Sequence, residues 1–202
     1  MEQIALPLSP RSSGPAAIVV GNANARVAEA LSAPGSWPFR TAVLTGPPRS
    51  GKSLLARWFA DSGQGEAIDD AQDLPEDAIF HRWNRAQEAG TPLLIVGGTP
   101  PWEITLPDLR SRLGAALQLA IGQPDDAMAA DLIHSLAQER GLALGPGAAD
   151  YLVPRAGRSW AELERLVLAI DRLSLERKTP PTLGIWRAAL EEVTGPQEPR
   201  ML

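Results

Sequence analysis

The chain has no cysteine. That excludes disulfides, thiolate catalysis and any cysteine-based metal site, and it fits a reducing compartment. It also lacks a surplus of positive charge: 19 Lys and Arg stand against 24 Asp and Glu, a formal net charge of −5. A broad nucleic-acid-binding surface needs excess Lys and Arg to neutralise phosphates, so that class is disfavoured, although a local basic patch stays open. No apolar run approaches the ~20 residues of a membrane span. The start, Met1-Glu2-Gln3-Ile4, has neither the basic segment nor the long apolar core of a signal peptide. The expectation is a soluble, cytoplasmic protein with no membrane partner. Two histidines, His81 and His134, are too few and too far apart to suggest a metal centre. A length of 202 residues allows one domain, or one and a small second.

The sequence does contain one complete motif. Gly46-Pro47-Pro48-Arg49-Ser50-Gly51-Lys52-Ser53 satisfies G-x-x-x-x-G-K-[ST] at every required position. The apolar run Thr41-Ala42-Val43-Leu44 precedes it and a helical pattern from Leu54 to Phe59 follows. Strand, loop and helix is the context in which a P-loop works. Its glycines let backbone N–H groups turn inward on phosphates, and the helix N-terminus adds positive potential. Lys52 is expected to reach the outer phosphates and Ser53 to hold Mg²⁺, with Leu54 closing the nucleotide-binding segment. Arg49 adds a charge inside the loop, for phosphate, for a neighbouring protein or simply for solvent.

Residues 1–15 are rich in Pro, Ser and Arg and read as an irregular tail. Ala17 to Val20 reads as a short strand or anchor and Asn24 to Leu31 as a helix. Ala67-Ile68-Asp69-Asp70 is a short strand ending in two acids. Pro75 to Ala89 is a helix, Leu93 to Val96 a buried strand, Leu106 to Leu113 a short helix and Leu117 to Ile121 a strand. Apolar runs alternating with helical segments indicate an α/β fold, a parallel sheet flanked by helices. The strand signal stops at Gln123-Pro124-Asp125-Asp126. Helices are expected over 125–139, 146–155, 159–176 and 182–193. The domains read as an α/β P-loop domain over 16–122, a small all-helical lid over 123–194 and a tail over 195–202. In P-loop ATPases an acid at the end of a neighbouring strand holds Mg²⁺ and a second orients the attacking water. Asp69 suits the first role and Asp70 the second; the other reading is an acidic helix cap with Asp73. Trp58, Trp83, Trp160 and Trp186 fall on helical packing faces, whereas Trp37 and Trp102 lie in loops, open to nucleotide or partner.

A P-loop domain followed by a helical lid resembles the AAA+ proteins, and several stretches resemble their DnaA branch, in particular its Hda-type regulators. Val19-Val20-Gly21-Asn22-Ala23-Asn24 is similar to the V-V-G-x-x-N entry segment of that branch. Ile68-Asp69-Asp70-Ala71-Gln72 resembles its I-D-D-[IA]-Q acid motif. Leu109-Arg110-Ser111-Arg112-Leu113-Gly114 resembles the L-x-S-R-F-G segment that carries an arginine finger, and Glu162-Leu163-Glu164 the R-E-L-E segment of the lid. The likeness runs from about residue 17 to 193. Only Gly195 to Leu202 follow the lid, too few for the helix-turn-helix domain of DnaA, so no sequence-specific DNA reading is expected. Gln3-Ile4-Ala5-Leu6-Pro7-Leu8 resembles the Q-L-x-L-P-L hexapeptide by which Hda-type proteins dock on the replicative sliding clamp. Leu6 and Leu8 suit an apolar groove, Gln3 a polar anchor, and Pro7 limits the entropy lost on binding.

The pattern is broken at two places. The acid that DnaA carries after the strand matching Leu93 to Val96 is replaced by Gly98, with Thr99 the nearest polar side chain. The lid arginine is replaced by Ala161, with Arg158 or Arg165 as substitutes. Both changes remove groups that recognise the γ-phosphate, so weak intrinsic ATPase activity and a site suited to holding ADP are expected. The resemblance then implies a negative regulator of replication initiation. Bound to ADP or ATP with Mg²⁺, it would dock on the clamp and stimulate hydrolysis of DnaA-bound ATP through Arg112 acting in trans. Arg110 is the rival finger, and two residues apart on a helix do not share a face. The other readings are a DnaA-like adaptor without this activity and a self-sufficient loader-type ATPase; a homo-oligomer stays open.

Overall fold

Thr41 to Thr45 form a strand, β1, whose first four residues are buried. A strand covered on both faces needs sheet neighbours on each side and helices above and below. The computed structural model, which describes residues 18–195, supplies them. β1 pairs in parallel with strands Leu93–Val96 (β3) and Leu117–Ala120 (β4), while Glu66–Ile68 (β2) pairs in parallel with the far side of β3. The order is β2-β3-β1-β4. This is the parallel sheet with flanking helices that the alternating pattern implies.

The described residues fall into two units. The first, Asn22–Gly122, contains the sheet and four helices, α1 (Ala25–Leu31), α2 (Lys52–Asp61), α3 (Glu76–Ala89) and α4 (Pro107–Ala115). Helix α2 buries Leu55, Ala56, Trp58 and Phe59, a stripe at helical spacing. Trp37 stacks on Phe59 with ring centroids 5.3 Å apart, and its Nε1 donates to the Ala30 carbonyl at 2.9 Å. Trp37 is therefore a buried core anchor. A second cluster, with Val43, Ile68, Ile79, Ile95 and Leu109, packs α3 and α4 against the sheet and takes Trp83 and Trp102 at its margin. Glu76, in the first turn of α3, accepts hydrogen bonds from the Thr105 N–H and hydroxyl and from the Leu106 N–H at 2.8, 2.9 and 2.6 Å. These contacts fix the chain where it enters α4, and they hold the Glu76 carboxyl below its usual range.

The second unit joins residues 18–21 to the chain from Gln123 onward. Its helices are α5 (Asp126–Glu139), α6 (Ala148–Leu152), α7 (Trp160–Arg177) and α8 (Leu183–Thr194). Residues 18–20 are not a strand but irregular backbone. Asp125 caps α5 by accepting from the Met128 N–H at 2.9 Å. Helix α7 opens with a capping box between Ser159 and Glu162. It then buries Leu163, Val167 and Ile170 and packs against α5 and α8. Helix α6 is shorter than its pattern, because Pro146 and Gly147 precede it and Pro154 follows. Among the described residues no helix is long and apolar enough to cross a membrane.

Candidate functional site

In open parallel sheets, ligands bind beyond the carboxyl ends of the strands. All four strands here point the same way, so that edge collects three loops. They are the segment from Gly46 after β1, the acids Asp69 and Asp70 after β2, and Gly97-Gly98 after β3. The acids follow β2, and β3 lies between that strand and β1. Two strand spacings put about 10 Å between the axes of β1 and β2. Strand order follows from the crossover connections, which apolar runs do not reveal.

The loop after β1 is held by packing and by backbone. A Cβ on Gly46 would lie 3.0 Å from the Ile121 Cβ and 3.3 Å from the Ser50 Oγ. The Gly46 N–H donates to the Gly98 carbonyl at 3.4 Å, tying this loop to the one after β3. Gly51 has φ +83°, a left-handed conformation that disfavours any other residue, and it leads into α2. Arg49 is exposed, also with positive φ, at +65°. Pro47 and Pro48 have no N–H to give, so the donors come from the later half of the loop.

The donor set fits a phosphate. No side chain caps the N-terminus of α2, whose first N–H groups lack intrahelical acceptors. The Ser50 hydroxyl is buried and has no hydrogen-bond partner. Lys52 Nζ donates to the Gly46 and Pro47 carbonyls at 3.0 and 2.9 Å, so the ammonium lies along the loop. Burial holds Lys52 below its usual range, opposed by the charges of Asp70 and Asp69. The oxygens of Ser53, exposed on the first turn of α2, and of Asp69 are hard ligands suited to Mg²⁺. Among the described residues no group of three His, Cys, Asp or Glu would hold a metal by itself.

Around this core, Asp69 and Asp70 are exposed, Asp70 has φ +47°, and its N–H donates to Asp69 Oδ1 at 3.0 Å. Leu54 is half-buried on α2. A Cβ on Gly98 would meet the Gln72 side chain at 3.6 Å, so Gln72 is the polar group set against this glycine. Within the helical unit, Arg158 is ion-paired with Asp126. Arg165 is exposed, its Nε donating to the Ala161 carbonyl at 3.4 Å.

The structure separates the two arginines of α4. Arg110 is exposed, with Nε donating to the Ile104 carbonyl at 2.7 Å. Arg112 is half-buried. Its Nη1 donates to Asn84 Oδ1, and its guanidinium carbon lies 4.4 Å from the ring centroids of both Phe80 and Trp83. The sequence reading missed Asn84 and Phe80, although Phe80, Trp83 and Asn84 have the spacing of one helix face. Gln3, Ile4, Leu6, Pro7 and Leu8 lie outside the described residues.

No family model matches the chain. Among solved structures it is similar to domain III of the Thermotoga maritima replication initiation protein DnaA. That match has 14% identity and a TM-score of 0.73, over 89% of this chain and 95% of that one. It is also similar to a replication initiator DnaA bound to AMPPCP and single-stranded DNA, at 17% identity and a TM-score of 0.60, over 80% of this chain and 66% of that one. A third match is the FIGL-1 AAA domain in complex with ADP, at 15% identity and a TM-score of 0.58, over 89% and 84%. These likenesses establish the fold: the chain has the DnaA-like AAA+ architecture, a P-loop α/β unit accompanied by helices.

Proposed function

We propose that this chain, folded as a DnaA-like AAA+ protein, is a nucleotide-holding regulator of replication initiation of the Hda type. The observation that carries the proposal is a complete phosphate loop on a DnaA-like fold; the sequence resemblance adds Gly98 and Ala161 at positions where it implies polar groups. Nucleotide would be held by the N–H groups of the Gly46–Gly51 loop, by Lys52 and by Leu54 at the edge. Mg²⁺ would be held by Ser53 and Asp69. When bound, the nucleotide and its metal supply the phosphate and counter-charge that the uncapped end of α2, Lys52 and the acids are built to balance. Asp70 stands beside Asp69 as the candidate general base, and the missing polar groups make turnover at this site slow. The product of this chain's action is then made elsewhere. Arg112 stabilises charge on the ATP of a DnaA partner, while Gln3 to Leu8 dock the protein on the DNA-loaded sliding clamp.

The experiment is hydrolysis of labelled ATP pre-bound to DnaA, in the presence of DNA-loaded clamp, with the intact protein or Arg112→Ala added. Faster hydrolysis with the intact protein alone supports the regulator and assigns Arg112. Equal stimulation by both removes Arg112 as the finger and turns the assignment to Arg110, whereas stimulation by neither while clamp binding persists leaves a recruitment module. Rapid turnover by the protein without DnaA would instead make it a loader-type motor.

A further inference from the structure

We infer that Phe80, Trp83 and Asn84 are positioning residues for Arg112. They form an uncharged cradle that aims its guanidinium without neutralising it. The inference rests on the reading of Arg112 as a trans-acting finger. An arginine that must stabilise charge on another protein's phosphates has two requirements. Its long side chain must be ordered before the encounter, or the ordering is charged against every engagement. Its charge must stay uncompensated, or the attraction it exerts is cancelled.

The contacts of Arg112 meet both. Phe80, Trp83 and Asn84 share one face of α3, and Arg112 comes to them from the last turn of α4. Both aromatic rings sit 4.4 Å from the guanidinium carbon, within the range where the ring quadrupole attracts a cation. The Trp83 Nε1 is buried and has no partner, so the indole acts on Arg112 through its ring. Asn84 takes one N–H on a neutral amide oxygen. A guanidinium has five N–H donors, and Arg112 has no other hydrogen-bond partner among the described residues. The remaining donors are therefore available for planar, bidentate contact with phosphate oxygens. An ordinary surface ion pair would have used an Asp or Glu at position 84 and removed the charge.

The cradle is tested first on the protein alone. The Arg112 side-chain ¹⁵N resonances, assigned by their loss in Arg112→Lys, are expected to show slowed guanidinium rotation in the intact protein and in Phe80→Tyr. In Phe80→Leu and Asn84→Ala they are expected to average. The same variants are then added to ATP-loaded DnaA with DNA-loaded clamp. Losing a hydrogen bond to a charged group or one ring contact should lower the maximal hydrolysis rate about tenfold. The half-saturating concentration should stay unchanged, and Phe80→Tyr should stay within about twofold of the intact protein. Asn84→Asp keeps the geometry and cancels the charge, so it should lose the activity while folding normally. It carries the test if Phe80→Leu unfolds. Full maximal rates in Phe80→Leu, Asn84→Ala and Asn84→Asp, with Arg112→Ala inactive, overturn the cradle and leave the finger standing. Rates above that of the intact protein also overturn it, since the contacts would then store the arginine instead of aiming it. An active Arg112→Ala removes the finger reading and the cradle with it.

Discussion

Lys52→Met separates what the phosphate loop does for binding from what it does for folding. The substitution keeps the aliphatic stem and removes the ammonium, which donates to the Gly46 and Pro47 carbonyls at 3.0 and 2.9 Å. Those two bonds favour folding. Against them stands burial, the largest influence on Lys52, which pushes its pKa below the ordinary 10.5. A lysine with a lowered folded pKa carries its burial cost at every pH below that value, and the cost fades as pH rises to 10.5. At neutral pH the lost bonds and the relieved burial oppose each other. Without nucleotide, the melting temperature of Lys52→Met should lie within about 3 °C of the intact protein, the shift expected of about 1 kcal/mol in a chain this size. With Mg²⁺ and ADP at about 100 times the dissociation constant, the intact protein gains about 2.7 kcal/mol. That corresponds to about 5–10 °C. Lys52→Met should gain none of it. Differential scanning fluorimetry with and without Mg·ADP reads both numbers. A full nucleotide shift in the variant would show that Lys52 is not in the phosphate site. A large loss of melting temperature without nucleotide would show that the loop needs the ammonium to fold.

Two further outcomes follow from the carboxylates with lowered pKa. In the intact protein the contribution of Glu76 is present above its ordinary value of 4.5 and is lost as pH falls through its lower folded value. Glu76→Gln should flatten the acid limb of a melting-temperature titration in that window; an unchanged limb would mean that the Thr105 and Leu106 contacts do not form in solution. Ser159→Ala removes the hydroxyl that caps α7 and is the main influence lowering the Glu162 pKa. The loss should be about 1 kcal/mol, read as a fall of about 2–4 °C. Glu162 acts with the same sign, so the deficit should shrink as pH falls below 4.5, and a deficit independent of pH would contradict the capping box.

Much of this protein follows from local sequence alone. Gly46 to Ser53 lie consecutively between an apolar run and a helical stripe, and a motif built from neighbouring residues is set by backbone geometry that each residue carries with it. The alternation of apolar runs and helical stripes likewise fixes the α/β class, because periodicity reports which faces must be covered. Other features were decided only by the tertiary structure. Strand β3 lies between β2, which carries Asp69, and β1, which carries the phosphate loop, and no local signal encodes strand order. Trp37 looked free in its loop and is stacked on Phe59, a contact across 22 residues. Glu76 anchors Thr105, and Arg112 rests against Phe80, Trp83 and Asn84, pairs separated by 28 to 32 positions. Such contacts form when two amphipathic helices bury their faces against the same sheet. Sequence spacing names the residues on each face, but only packing selects which faces meet.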